Sequence, residues 1–238
     1  MRNKKWLFII LGIILFIFLV FFILGIFKRP KKDDSLLISK NHMLKELKTF
    51  SYDSKVNINV YGLNLDVDVN CKEDRVNKLG YCSSTSNVIN IEEYMDYKNK
   101  VTYSKSDLIS NYRDNSSWSK NEEKNIEEAP MLKIVDKIKI QKKEKKDNGI
   151  LYTGIIDGKS LGQVIRTASR TTNKRIGIGR IFKKKVPVEV FVNSNNYIEY
   201  LKSNISVLGI KINLDIKYSN YNTSSSLSLP GEVYELQN

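Results

Sequence analysis

Hydrophobic and polar positions follow three different regimes along this chain. From Trp6 to Phe27 they do not alternate at all: the stretch carries no charge and no polar side chain beyond the indole. At about 1.5 Å per helical residue these 22 residues span about 33 Å, enough for a hydrocarbon core of about 30 Å. From Ser35 to Thr49 the period becomes helical, with Leu36, Leu37, Met43, Leu44 and Leu47 at spacings of three, four and seven; Phe50 closes the stripe, and Ser35 is placed to cap. The period then drops to two. Val56, Ile58 and Val60 alternate with asparagines, and Leu65, Val67, Val69 and Cys71 follow beyond Gly62. This is the mark of half-buried antiparallel strands.

The same reading predicts strands over 80–84, 87–91 and 100–104, then a polar region from Ser106 to Glu128 with Trp118 as its one large apolar anchor beside a short edge strand. A hairpin of 137–144 and 150–156 turns at Asp147-Asn148-Gly149. A short helix is expected over 159–168, and Thr171 to Lys185 forms a basic connection. Val186 to Val192 alternate as a strand that Pro187 marks as an edge or a strand start, because proline lacks the ladder N–H. Tyr197 to Asn204 fits helix or strand, and Ile210 to Tyr218 is the cleanest strand of all.

The organisation that follows is a cytoplasmic N-terminus (1–5), a transmembrane helix (6–27), a basic linker (28–34) and an extracytoplasmic β-rich domain (35–238). A cleaved signal peptide fits less well, since Leu24-Gly25-Ile26-Phe27 puts bulky groups where a peptidase needs small ones. A lipoprotein signal needs a cysteine just after the apolar run, and the first here is Cys71. Three basic residues precede the span and four follow it, so flanking charge decides little. The basic start ahead of an apolar run favours export of the tail. The cytoplasmic membrane is therefore the first expected partner, through residues 6–27.

Charge changes the picture only when it is located. The net +13 comprises +7 in residues 1–32, −4 in 33–136, +12 in 137–185 and −2 in 186–238. The basic window, with Lys142, Lys143, Lys145, Lys146, Lys183, Lys184 and Lys185, is expected to be a solvated face or a weak contact for an anionic surface. It carries no helix-turn-helix, RRM or zinc-ligand pattern, which argues against nucleic acid as the partner.

Candidate chemistry is sparse. The segment from Gly154 to Ser160 imitates a phosphate-binding loop, but three residues separate its glycines where four are needed. Gly177 and Gly179 lack the rest of a dinucleotide fingerprint, and Glu122, Glu123, Glu127 and Glu128 form no inferable catalytic pair. With His42 the one histidine and two cysteines in all, zinc hydrolysis and Cys-His catalysis are not expected, and neither is a cofactor. Cys71 and Cys82 flank a turn near Val76, so they are either a cross-strand disulfide or two buried thiols; in an oxidising compartment the bond is expected.

Leu44 to Val60, Tyr94 to Ser104 with Trp118 after it, and Ile210 to Val233 together resemble the LolA/LppX-like superfamily of bacterial envelope lipoprotein carriers and lipid-binding lipoproteins. The resemblance covers residues 35–238 and implies an α+β fold: a mainly antiparallel β half-barrel with a few covering helices. It implies a non-enzymatic role, holding a lipid or acyl chain in the envelope. The aliphatic rows then make Val67, Val69, Val188, Val190, Ile212 and Leu214 the expected ligand-facing residues. The chain departs from the lipoprotein members in lacking their acylated cysteine, so a diffusing carrier is in doubt. The alternative is a membrane-tethered interaction or sensor domain that binds a protein or an anionic wall polymer.

Overall fold

The computed structural model describes residues 34–87, 89–108, 117–122, 126, 128–160, 162, 185–207 and 209–237. The expected membrane span, the linker up to residue 33, and Lys183 and Lys184 lie outside the described residues, as do most of the expected helix at 159–168 and nearly all of the basic connection after it. Among the described residues no helix is long and apolar enough to cross a membrane.

Helix α1 (Ser35–Glu46) leads into eleven strands: β1 (Thr49–Val60), β2 (Leu63–Asp74), β3 (Leu79–Ser86), β4 (Ile89–Asp96), β5 (Val101–Leu108), β6 (Ser119–Glu122), β7 (Lys139–Lys146), β8 (Gly149–Asp157), β9 (Lys185–Asn193), β10 (Ile198–Val207) and β11 (Ile210–Ser219). They form one open antiparallel sheet in the order β6-β5-β4-β3-β2-β1-β11-β10-β9-β8-β7. Two meanders therefore meet where the first strand pairs with the last, in an unbroken register from Ser51 opposite Ser219 to Val60 opposite Ile210.

Helix α1 stops three residues short of the expected Thr49. The Arg75 guanidinium donates to the carbonyls of Leu44 and Leu47, satisfying the helix's last acceptors. Asn222 Oδ1 accepts the N–H of Lys48 at 2.6 Å, and the Asn222 N–H bonds the Thr49 carbonyl at 2.8 Å. The chain is thus drawn into the sheet at Thr49. The second hairpin is also shifted: β7 runs to Lys146, and the turn is Asp147-Asn148 alone, with Gly149 already paired to Lys146. A Cβ at Gly149 would lie 2.1 Å from the Val192 carbonyl, which explains why glycine opens β8. Asn87 lies outside β4, which starts at Ile89.

Of the two readings of Pro187 the edge fails, because β9 lies between β8 and β10, and the strand start holds, because β9 opens at Lys185. The β9–β10 ladder runs from Ile198 opposite Val192 to Lys202 opposite Glu189 and ends before the proline. The Pro187 carbonyl, which points to the same side as its missing N–H, accepts the Ser203 hydroxyl at 2.8 Å. One side chain thereby replaces a ladder bond that proline cannot support. Ser203→Ala is expected to cost about 1 kcal/mol by removing that partly buried hydrogen bond. Chemical denaturation should show the lower midpoint with an unchanged slope.

The main core lies on one face of the sheet, where α1 packs Leu36, Met43 and Leu47, and the segment Ala129–Val135 packs Met131, Leu132, Ile134 and Val135. A second, smaller core lies on the opposite face of the first meander. There Val101 and Tyr103 meet Leu229 and Val233 of the C-terminal segment, with Trp118 and Tyr94 beside them.

Candidate functional site

Strand registers assemble the inner face into rows that run across the sheet. Nearest the α1 end, Cys82, Cys71, Tyr52 and Tyr218 follow one another on β3, β2, β1 and β11. The next row is Ile91, Ser84, Val69, Ser54, Ile216, Leu201, Val190 and Tyr152, from β4 to β8. Beyond it come Val67, Val56, Leu214 and Ser203, then Leu65, Ile58, Ile212 and Ile205, and last Leu63, Val60 and Ile210 at the hairpin tips. All six of the expected apolar residues face this side and are buried: Val69 and Val190 in one row, Val67 and Leu214 in the next with Val188 opposite Gly154, and Ile212 beyond.

The covering elements reach the end of the sheet away from the tips. Met43 Sδ lies 3.1 Å from the Ile198 N–H, and the Ser39 hydroxyl donates to Asn196 Oδ1 at 2.5 Å. The Tyr218 hydroxyl donates to the Met131 carbonyl at 3.0 Å. Burial, with Tyr52 and Tyr221 beside it, pushes the Tyr218 phenol well above its ordinary range, so it remains a donor at every physiological pH. Tyr218→Phe leaves the Met131 carbonyl unpaired and is expected to cost about 1–2 kcal/mol, measurable as a lowered melting temperature.

The described covering elements are short beside the strands they pack on, yet all six of those aliphatic side chains are buried. A helix of 12 residues is about 18 Å long, whereas strands of 10–12 residues are about 33–40 Å. The face is also broad, since the eight strands from β4 to β8, spaced about 4.8 Å apart, make a width of about 34 Å. Within it Ser54 Oγ is buried and has no hydrogen-bond partner among the described residues; an unpaired hydroxyl costs about 1–3 kcal/mol in an apolar setting. Nothing in the sequence marked Ser54, because a lone serine in an alternating strand reads as one more polar position.

Cys71 and Cys82 stand directly opposite each other on β2 and β3, bonded through sulfur with their Cα atoms 4.2 Å apart. Tyr52 Oη lies 3.8 Å from the Cys82 sulfur. His42 stacks on Tyr197, with ring centroids 5.4 Å apart, a packing role. Among the described residues no three His, Cys, Asp or Glu side chains gather as metal ligands.

The described basic residues do not form one patch. Lys142 and Lys146 both pair with Glu144, and the Lys146 hydrogen bond, then its charge, holds that carboxyl below its ordinary range. Lys143 and Lys145 pair in register with Tyr152 and Ile150 and so lie on the inner-face side, Lys143 Nζ 5.5 Å from the Tyr152 ring centroid. Lys185 opens β9, exposed and opposite Asp157. A lysine-rich strand at the sheet edge also deters pairing with another chain. Asp157 accepts both the N–H (2.9 Å) and the hydroxyl (2.6 Å) of Ser160, so the phosphate-loop look-alike is a strand-to-helix turn. Glu128 pairs with Lys78 at 2.7 Å and Arg75 at 3.7 Å, a structural role.

This defines a class: an open, antiparallel sheet with one aliphatic face and the described helices over one end of it. Similar solved structures include the Mycobacterium tuberculosis lipoprotein LppX, at TM-score 0.40 and 13% identity over 82% of this chain and 97% of that one. A LolA superfamily protein from Nitrosomonas europaea matches at TM-score 0.31 and 9% identity, over 86% of this chain and 97% of that one. A putative outer membrane lipoprotein-sorting protein domain from Vibrio parahaemolyticus matches at 0.31 and 8%, over 84% and 96%. At these scores and identities the likeness says nothing of a ligand or an activity. No family model matches the chain, and no curated protein matches it in sequence.

Proposed function

We propose that residues 35–238 form a non-enzymatic extracytoplasmic domain that holds a lipid, an acyl chain or a similar apolar ligand on the inner face of the sheet, tethered to the cytoplasmic membrane by residues 6–27. The observation that carries this reading is the aliphatic field itself. Rows from Val69 through Ile212 continue to the hairpin tips, while the described helices pack at the opposite end. An apolar ligand on that field contributes up to about 0.8 kcal/mol for each methylene buried, before ordering costs. A ligand with a carbonyl or carboxyl end would also give Ser54 a partner, which it lacks among the described residues.

The test is native mass spectrometry of residues 35–238 made with an export signal, joined to titration of the delipidated domain with a fluorescent fatty acid. An apolar adduct and saturable binding are expected. A domain that folds, carries no adduct and shows no saturable binding would refute the carrier reading and favour the interaction module.

A further inference from the structure

The β1–β2 hairpin ends in side chains that folding does not use. Tyr61 is 79% exposed, Leu63 78% and Val60 37%. Tyr61 and Gly62 form the two-residue turn, with φ of 49° and 93°. Such a turn favours Asn-Gly, because both residues need the left-handed region; a bulky aromatic at the first position is disfavoured. Tyr61 gains little burial in return. Its ring leans on Gly209 of the neighbouring β10–β11 turn, close enough that a Cβ there would lie 2.8 Å from it, and its N–H bonds the Gly209 carbonyl at 3.3 Å. The two turns thus hold the aromatic in place at the outermost point of the sheet's middle strands.

Behind the tip the chemistry changes within one or two residues. Asn59 donates to Asn64, and Asn57 donates to Asp66 at 2.8 Å. With Lys211 they line a shallow depression of about 180 Å³. Strand rise is about 3.3 Å per residue, so a cap of bare apolar side chains about 3–7 Å deep is bordered by carboxamides on the outer face of the sheet, while Ile58 and Leu65 continue it on the inner face. That depth matches the shallow seat of interfacial apolar groups, about 5–10 Å into the headgroup and acyl boundary. Tyrosine has the amphipathic form favoured at that level. Three side chains on a projecting turn are too few for a stable protein interface, which needs about 800 Å² from each partner. The polar border carries one cation and one carboxylate, Lys211 and Asp66, so it favours no lipid charge.

We propose that Val60, Tyr61 and Leu63 form a tip that enters the headgroup region of a lipid bilayer. Leu63, Val60 and Ile210 are also the last row of the inner aliphatic face, so the tip would join that face to the bilayer. This second step rests on the proposed lipid-binding function; insertion itself does not.

The experiment uses the full chain, reconstituted with phosphatidylethanolamine–phosphatidylglycerol vesicles. Leu63→Cys is labelled with an environment-sensitive fluorophore, and Val76→Cys serves as the control: Val76 is also apolar and exposed (65%) but lies at the opposite end of β2. The cysteines of the chain are bonded to each other and leave the label one target. Position 63 should show blue-shifted emission, quenching by a shallow spin-labelled lipid and at least threefold protection from aqueous iodide, whereas position 76 stays water-exposed. Adding Tyr61→Asn, which suits the turn better and keeps the fold, should remove most of that protection. Equal iodide access at 63 and 76 would overturn the proposal. Protection at 63 without lipid quenching would also overturn it, and would mean a protein contact instead. Native mass spectra of the same samples report the apolar adduct separately, so failure of insertion and failure of lipid binding are told apart.

Discussion

Asp74→Ala will detach the C-terminal segment from the sheet and cost about 3 kcal/mol. Asp74 ends β2, is buried, and accepts four hydrogen bonds: the N–H groups of Val76 (3.1 Å), Asn77 (3.0 Å) and Leu227 (2.9 Å), and the Asn77 carboxamide at 2.8 Å. Three backbone donors lose their acceptor in the variant, and at the low end of about 1 kcal/mol each the total is reached. The Leu227 bond is the long-range one, because it precedes Leu229 and Val233, which complete the smaller core against Val101 and Tyr103. Burial alone would push the Asp74 carboxyl up; the hydrogen bonds from Asn77, Leu227 and Val76 outweigh it and hold the carboxyl below its ordinary range. A carboxylate depressed in the folded state stabilises fully above its unfolded value, about 3.9, and that contribution is lost as pH falls through the folded value. Melts from pH 7 to pH 3 should therefore show a gap between wild type and Asp74→Ala that is constant down to about pH 4 and then narrows. Asp74→Asn, which keeps an acceptor without the charge, should lie between them. A pH-independent gap would mean that charge is irrelevant to the clamp. Limited proteolysis should cut the Ala variant first between residues 220 and 230.

Removing both sulfurs, as Cys71→Ser with Cys82→Ser, is expected to cost a similar amount. The bond closes a loop of sequence separation 11, for which the chain-entropy account gives about 3 kcal/mol. In a chain of this size that lowers the melting temperature by about 6–12 °C. Reductant should lower wild type toward the variant and leave the variant unmoved. A change below 2 °C in both comparisons would show that the β2–β3 register is held without the sulfurs.

The alternating segments were legible in sequence because each strand has one wet face and one dry face. Val56/Ile58, Val67/Val69, Val186–Val192 and Ile212–Ile216 all face inward as the period required. β10 was ambiguous for two physical reasons. Its pairing with β9 is irregular between Ile198 and Tyr200, which breaks the period, and Ser203 faces inward where an aliphatic residue would have declared a strand. Pro187 left edge and strand start both open; it lies at the start of a central strand, where Ser203 offers a hydroxyl in place of a backbone partner. The pairing of β1 with β11 could not be read, since any two aliphatic strands satisfy the pattern and register is decided by contacts far apart in the chain. The Asp74 clamp escaped for the same reason, its decisive partner being Leu227.

The meeting of the first strand with the last also sets an order of events during synthesis. The β1–β6 meander can form by local turns as soon as its residues are free, but β1 then presents an unpaired edge. Its partner arrives about 150 residues later, and closing a loop of that length adds an entropic cost that grows with the logarithm of length. Non-local pairing of this kind is slow and leaves strand edges open to wrong partners. The half-made molecule, with the backbone edge of Val56 to Val60 bare, is therefore the form most exposed to aggregation and to proteases. Its lifetime will be governed by how fast β11 is delivered rather than by the stability of the finished sheet.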